Sequence, residues 1–169
     1  LPINERVYSD GNILKPVQRE DIENAVEVMR AENVTSVAIV FLHSYVNPQN
    51  EQTAAVYLKE LAPDIAVTLS SEVLPQIKEF ERTSTTVVNA YVKPLAQQYL
   101  ANLDKGLQSN KYKAPLHIML SNGGLGSTKT AGDFPIRLIE SGPVAGAIVG
   151  RQLAELMGIE DVLSFDMGG

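Results

Sequence analysis

Residues 35–42 read TSVAIVFL, a nearly unbroken β-branched and apolar run, and this stretch limits the possible folds more than any other. Such a strand needs cover on both faces, which is the pattern of a parallel sheet with helices packed against it. The sequence after it fits. Residues 43–50 make an exit loop, and Pro48 opens a helix whose inward positions are Ala54, Leu58 and Leu61. Pro63 and Asp64 stop that helix before a second strand at residues 65–69. Strand, helix and strand form one βαβ unit, so the chain is expected to be of the α/β class. Upstream, Val7-Tyr8 and Ile13-Leu14 flank Asp10-Gly11, the signature of a short hairpin. Between the hairpin and the strand, Ile22, Val26 and Met29 recur at i, i+4 and i+7 and predict an amphipathic helix over residues 19–33.

The texture then changes. Residues 72–110 hold no convincing strand, Pro75 and Pro94 punctuate them, and Leu95, Tyr99, Leu103 and Leu107 fall at helical spacing, so two or three helices are expected. Lys111 to Pro115 is a polar linker ending in proline. We therefore expect three regions: an α/β segment over 1–71, a helical segment over 72–113, and the first part of a second α/β domain over 114–169. The last region should contain a strand at 116–120, a short helix near 127–132, a strand through 136–139, a helix over 142–157 and a closing apolar strand.

Charge and composition exclude several roles. A net charge of −6 with scattered basic residues argues against a nucleic-acid surface, which draws on clustered Lys and Arg. With no cysteine there is neither a disulfide framework nor a thiolate metal site, which fits a cytoplasmic protein. No apolar run approaches the roughly 20 residues of a membrane helix. The first residue is Leu and the last motif breaks off, so the chain reads as an internal piece of a longer protein.

Two stretches could carry chemistry. Phe165-Asp166-Met167-Gly168-Gly169 brings an acid and two glycines to the end of an apolar run. There a carboxylate can hold the water shell of Mg²⁺ or orient an attacking water, while glycine amides approach phosphate. Asn122-Gly123-Gly124 repeats the arrangement after the 116–120 strand, although a plain turn explains it equally well. Glu140-Ser141-Gly142-Pro143 opens a helix in which Gly142, Gly146 and Gly150 form a stripe. Each interior glycine costs about 1 kcal/mol relative to alanine, so the stripe implies close approach of another segment. His43 and His117 stand apart without cysteine and read as structural. Glu79, Glu81 and Arg82 are expected to face water, and Ser84, Thr85 and Thr86 lack a nearby general base.

Taken together, VAIVFLHSYVNPQNE (residues 37–51), LSSEVLPQIKEFERTSTTVVNAYVKP (69–94), IMLSNGG (118–124), ESGPVAGAIVG (140–150) and FDMGG (165–169) resemble the hydantoinase A / 5-oxoprolinase family, which also includes acetone carboxylase subunits. The resemblance implies a ribonuclease-H-like fold of the actin, sugar-kinase and heat-shock-chaperone ATPase superfamily. It implies an enzyme that uses ATP with Mg²⁺ or Mn²⁺ to activate the carbonyl oxygen of a cyclic amide, a hydantoin or 5-oxoproline, for hydrolysis. On that likeness FDMGG is a phosphate loop: Asp166 positions the metal or water, Gly168 and Gly169 cradle phosphate, and Asn122, Gly123 and Gly124 line the cleft. The helix that begins at Gly142 is then a hinge helix. A second, hydantoinase B-like subunit or fused domain is the expected partner. The alternatives are an ATP-dependent ketone carboxylase subunit and, from another class, a nucleotide-driven conformational switch or scaffold.

Overall fold

A computed structural model describes residues 1–167. The chain divides into two compact units, Leu1–Pro94 and Leu95–Gly169. In the first, β1 (Arg6–Val7) and β2 (Ile13–Lys15) pair antiparallel around a turn in which Gly11 adopts φ 89°. Next come α1 (Arg19–Ala31), β3 (Ser36–Ile39), α2 (Gln49–Leu61) and β4 (Ala66–Leu69). Strands β3 and β4 run parallel, Ser36 opposite Ala66 and Ile39 opposite Leu69, which is the βαβ unit expected.

Burial explains why the pair holds. Ile22, Ala25 and Met29 from α1, Ala54 and Leu58 from α2, and Ile39 and Leu69 from the strands form one apolar cluster. Full burial of a side chain such as Leu58 is worth about 1.5–3 kcal/mol. On the other side, Ser36 Oγ donates to Ala90 O at 2.7 Å and Lys93 Nζ donates to Val67 O at 2.8 Å. Thr35 O faces β4, so Val67, one residue on from Ala66, turns its carbonyl to the outer edge of the sheet. The Lys93 ammonium thus occupies an edge that would otherwise invite another strand.

After a single turn of helix, α3 (Ser70–Val73), the helix α4 runs unbroken through Glu79–Ser109. The separate helices expected across residues 72–110 are therefore merged. Pro94 lies inside α4, at the boundary between the two units, rather than ending a helix.

In the second unit, β5 (His117–Met119) and β6 (Leu125–Ser127) form an antiparallel hairpin. The strand β6 has no counterpart in the sequence reading. It leads into α5 (Thr128–Asp133), whose N-cap Ser127 accepts from Thr130 N at 3.1 Å. Residues Pro135–Leu138 are a 3₁₀ turn, not a strand, with proline at the first position where its missing N–H is harmless. The helix α6 (Ser141–Met157) ends at Gly158, φ 67°, with Ile159 N bonded back to Ala154 O at 2.9 Å. Residues 161–167 take no regular structure, so the expected closing strand is absent among the described residues. A strand needs a hydrogen-bonded neighbour, and none pairs with it there.

Candidate functional site

In the first unit, the carboxyl ends of β3 and β4 carry a buried polar cluster. Glu51, in the first turn of α2, is wholly buried. Its Oε1 accepts from Phe41 N at 3.0 Å and Ser70 Oγ at 2.5 Å. Its Oε2 accepts from Ser71 N at 2.9 Å and Ser71 Oγ at 2.7 Å. Four donors match the acceptor capacity of a carboxylate, and the start of a helix favours negative charge. Ser44 Oγ lies 3.1 Å from Ser70 Oγ and accepts from Arg82 Nη1 at 3.0 Å. Arg82 Nη2 donates to Phe41 O at 2.9 Å, and its guanidinium stands 5.5 Å from the centre of the Tyr45 ring. Both polar groups of the Phe41 backbone are thus gripped, the N–H by an acid and the carbonyl by a base.

This corrects the expectation for Arg82, which is 0% exposed rather than turned to water. The pattern was present but inverted. Arg82, Thr86, Asn89 and Lys93 recur at i, i+4, i+7 and i+11, and the first three are fully buried. Phe80, Val87 and Tyr91 on the same helix are exposed. The inward stripe of this part of α4 is polar, so a search for apolar periodicity reads it inside out. Glu51 was missed for another reason: its partners lie 10 to 20 residues away in sequence.

The loop that the cluster grips contains His43, whose φ of 59° is left-handed. Only a few per cent of residues other than glycine adopt that region, Asn, Asp and His most often among them. Val46 N and Asn47 N both bond to His43 O, at 2.9 and 3.2 Å, and Tyr45 Oη lies 3.5 Å from His43 Nδ1. Beside the loop a recess of about 390 Å³ opens, with Val40, Phe41 and Leu42 on one side and Phe80, Arg82 and Thr83 on the other.

The residues named from sequence lie in the second unit. Asn122-Gly123-Gly124 is the β5–β6 turn: Asn122 Oδ1 accepts from Gly124 N at 2.9 Å, and Gly123 sits at φ 82°. A Cβ on Gly123 would meet Ile148 Cδ1 at 3.1 Å and Val144 Cγ1 at 3.7 Å, so the turn packs on α6. The terminal segment packs on α6 too, along the glycine stripe. A Cβ would come within 3.8 Å of Asp166 Oδ2 from Gly142, 3.4 Å of Ser164 Oγ from Gly146 and 3.6 Å of Ser164 Cβ from Gly150. Close approach is therefore what the stripe permits. Val144 and Ile148 are offset by two residues from Gly142 and Gly146, about 200° around the helix. The turn and the Asp166 segment thus occupy opposite faces of α6. Gly168 and Gly169 lie outside the described residues.

Asp166 is exposed, and the described residues contain no group of three acids or histidines that could enclose a metal. A lone carboxylate still suits Mg²⁺, which is commonly held by one or two carboxylates, water and substrate phosphates. No helix among the described residues is long and apolar enough to cross a membrane.

Comparison with known proteins fits this architecture. The hydantoinase/oxoprolinase family model matches residues 82–169, and the model of the hydantoinase/oxoprolinase N-terminal region matches residues 1–62. An uncharacterized protein of Methanocaldococcus jannaschii is 40% identical over 99% of this chain and 25% of its own length. The caprolactamase subunit alpha of Pseudomonas jessenii is 37% identical over 99% of this chain and 24% of its own. The crystal structure of that ATP-dependent caprolactamase superposes with a TM-score of 0.87 over 99% of this chain and 24% of its own. The nucleotide-free structure of acetone carboxylase, described as catalysing ATP-dependent acetone carboxylation, gives 0.79 at 29% identity over 92% of this chain and 22% of its own. The chain thus spans about a quarter of the length of these relatives. With both models matched in order along an α/β chain, this protein belongs to the hydantoinase/oxoprolinase family.

Proposed function

We propose that the chain is part of an ATP-dependent enzyme that opens a cyclic amide such as a hydantoin, 5-oxoproline or another lactam. The observation that carries this reading is the agreement over nearly its whole length with an ATP-dependent caprolactamase. The fold would be ribonuclease-H-like, with an α/β segment at 1–71, a helical segment at 72–113 and the start of a nucleotide-binding domain at 114–169. We place the enzyme in the cytoplasm with a hydantoinase B-like partner, since the similar caprolactamase chain is itself called a subunit.

In this reading the γ-phosphoryl group passes from ATP to the amide oxygen, with the P–O bond to ADP breaking as the new one forms. One water then adds to the activated carbon, and the C–N bond breaks as nitrogen takes a proton. A second water releases phosphate from the acyl phosphate. An amide, ATP and two waters become a ring-opened amino acid, ADP and phosphate. Such transfer rests on positioning and charge neutralisation. A divalent cation would neutralise the phosphates when bound; Asp166 would hold it or its water, Gly168 and Gly169 would cradle phosphate, and Asn122, Gly123 and Gly124, whose turn packs on the opposite face of α6, would line the cleft away from Asp166.

The test is ADP release by the full-length protein with its partner subunit, against lactams, hydantoins, 5-oxoproline and ketones. Turnover that requires a cyclic amide, abolished in Asp166→Asn with an unchanged melting temperature, is the expected result. Turnover on ketones alone would favour the carboxylase that the acetone carboxylase likeness suggests, and stimulation by protein or peptide alone would favour a switch.

A further inference from the structure

We infer that His43 is a ligand-contacting residue: the Glu51–Ser70–Ser44–Arg82 cluster holds it at the carboxyl end of the β3–β4 pair so that Nε2 donates a hydrogen bond to an oxygen of the substrate or of its phosphate. The identity of that oxygen rests on the function proposed above; the presentation of the ring does not.

Three independent features meet at this residue. In open α/β sheets ligands gather outside the carboxyl ends of parallel strands, and residues 41–45 form the loop that leaves β3 there. The backbone of His43 is left-handed, a conformation that costs free energy and persists only where its surroundings impose it, and such residues cluster at active sites and ligand clamps. The surroundings here do impose it, because Phe41 and Ser44, two residues before and one after, are bonded to buried Arg82, Phe41 also to Glu51.

That scaffold is costly for what it stabilises. Burying an acid and a base seldom improves stability over apolar residues of the same volume, and here the two do not pair directly but reach each other through Ser44 and Ser70. What the arrangement secures is the position of a short loop. Tyr45, itself beneath the Arg82 guanidinium, meets His43 at Nδ1, and the two rings pack edge to face with centres 6.0 Å apart. A neutral imidazole that accepts the Tyr45 O–H at Nδ1 carries its proton on Nε2. Nε2 bonds to none of the described residues, and His43 is only half-buried.

The test uses the full-length protein with its partner subunit. Asn tolerates the left-handed region, so His43→Asn removes the imidazole without new backbone strain. We expect kcat for substrate-dependent ATP hydrolysis to fall about 100-fold, the size of a lost proton-donating contact in a transition state, with the melting temperature unchanged. His43→Gln, which restores an N–H donor, should recover part of the loss. Arg82→Lys should lower kcat with little change in KM, because the fork that holds the loop is gone while the charge remains.

A second readout does not depend on turnover. In histidine-labelled full-length protein the ring signals of His43 and His117 are identified as those lost in His43→Asn and in His117→Asn. A non-hydrolysable ATP analogue or a lactam should move His43 and leave His117 in place. Movement with the analogue assigns a phosphate oxygen, and movement with the lactam assigns the carbonyl. A His43 signal that moves with the analogue while no cyclic amide supports turnover would sink the amidase reading and leave this one standing. If neither addition moves it, or if His43→Asn keeps kcat and KM within about twofold, the proposal is overturned.

Discussion

The two units differ in how they spend their apolar residues. Leu1–Pro94 gathers Ile22, Ala25, Met29, Ile39, Leu58 and Leu69 into one core and sets a fully satisfied acid, Glu51, on top of it. In Leu95–Gly169 the buried apolar side chains among the described residues are Leu100, Leu120, Ala131, Ala154 and Pro135, while Leu156, Leu163, Phe165 and Met167 are more than four-fifths exposed. The hydrophobic effect scales with area removed from water, so the larger buried apolar cluster of the first unit contributes more to stability than that of the second. Two roles for polarity follow. In the first unit buried polar groups fix the shape of one loop; in the second, glycines let one segment lie flat on a helix.

The hardest challenge to that contrast is Glu51→Ala, which strands four donors at once. We expect a loss of about 3–5 kcal/mol, the range for breaking a buried charged network, read as early urea unfolding of signals from residues 1–94 only. Loss shared equally by both units would erase the distinction. Leu58→Ala should cost about 2–5 kcal/mol, because Leu58 is 2% exposed in the core. The matched change Leu153→Ala, at a position 52% exposed, should stay within about 0.5 kcal/mol. Urea midpoints for the pair give the comparison its scale.

Gly146→Val tests the second unit. An added Cβ would already stand 3.4 Å from Ser164 Oγ, and two further methyl groups must push residues 161–167 off the helix. A cost of about 1–3 kcal/mol is expected for such overpacking, with faster amide exchange in that segment and none in α1. The smallest effect belongs to the exposed pair of Arg30 and Asp64, bonded at 2.5 and 2.6 Å. The hydrogen bond from Arg30 holds the Asp64 carboxyl below the ordinary range. Its contribution is therefore present above the usual aspartate pKa and is lost as pH falls through the lowered value. Asp64→Asn should flatten only that acid limb of a stability–pH curve and should weaken the salt dependence.

Much of the fold was legible because it is written locally. The run at residues 35–42, the i, i+4, i+7 apolar spacing of α1 and the proline and glycine punctuation each encode a conformation through neighbouring residues, and β3, α1, α2 and β4 appear where expected. Where a residue's conformation depends on distant partners, the reading failed. Residues 161–167 have strand-like side chains but pair with no strand among the described residues; residues 136–139 look like a strand but follow a proline that starts a 3₁₀ turn. The glycine stripe of α6 was readable as a surface for close approach, but not which segment would fill it.

The sequence alone determined the family, the βαβ order and the likeness to enzymes that use ATP, since these reside in residue types and their spacing along the chain. Only the tertiary structure decided that Arg82 is buried, that Glu51 has four donors, and that His43 is held left-handed between them. The reason is physical: the desolvation cost of a charge and the bonds that offset it depend on which atoms meet in space, and those atoms come from residues 41, 44, 51, 70, 71 and 82.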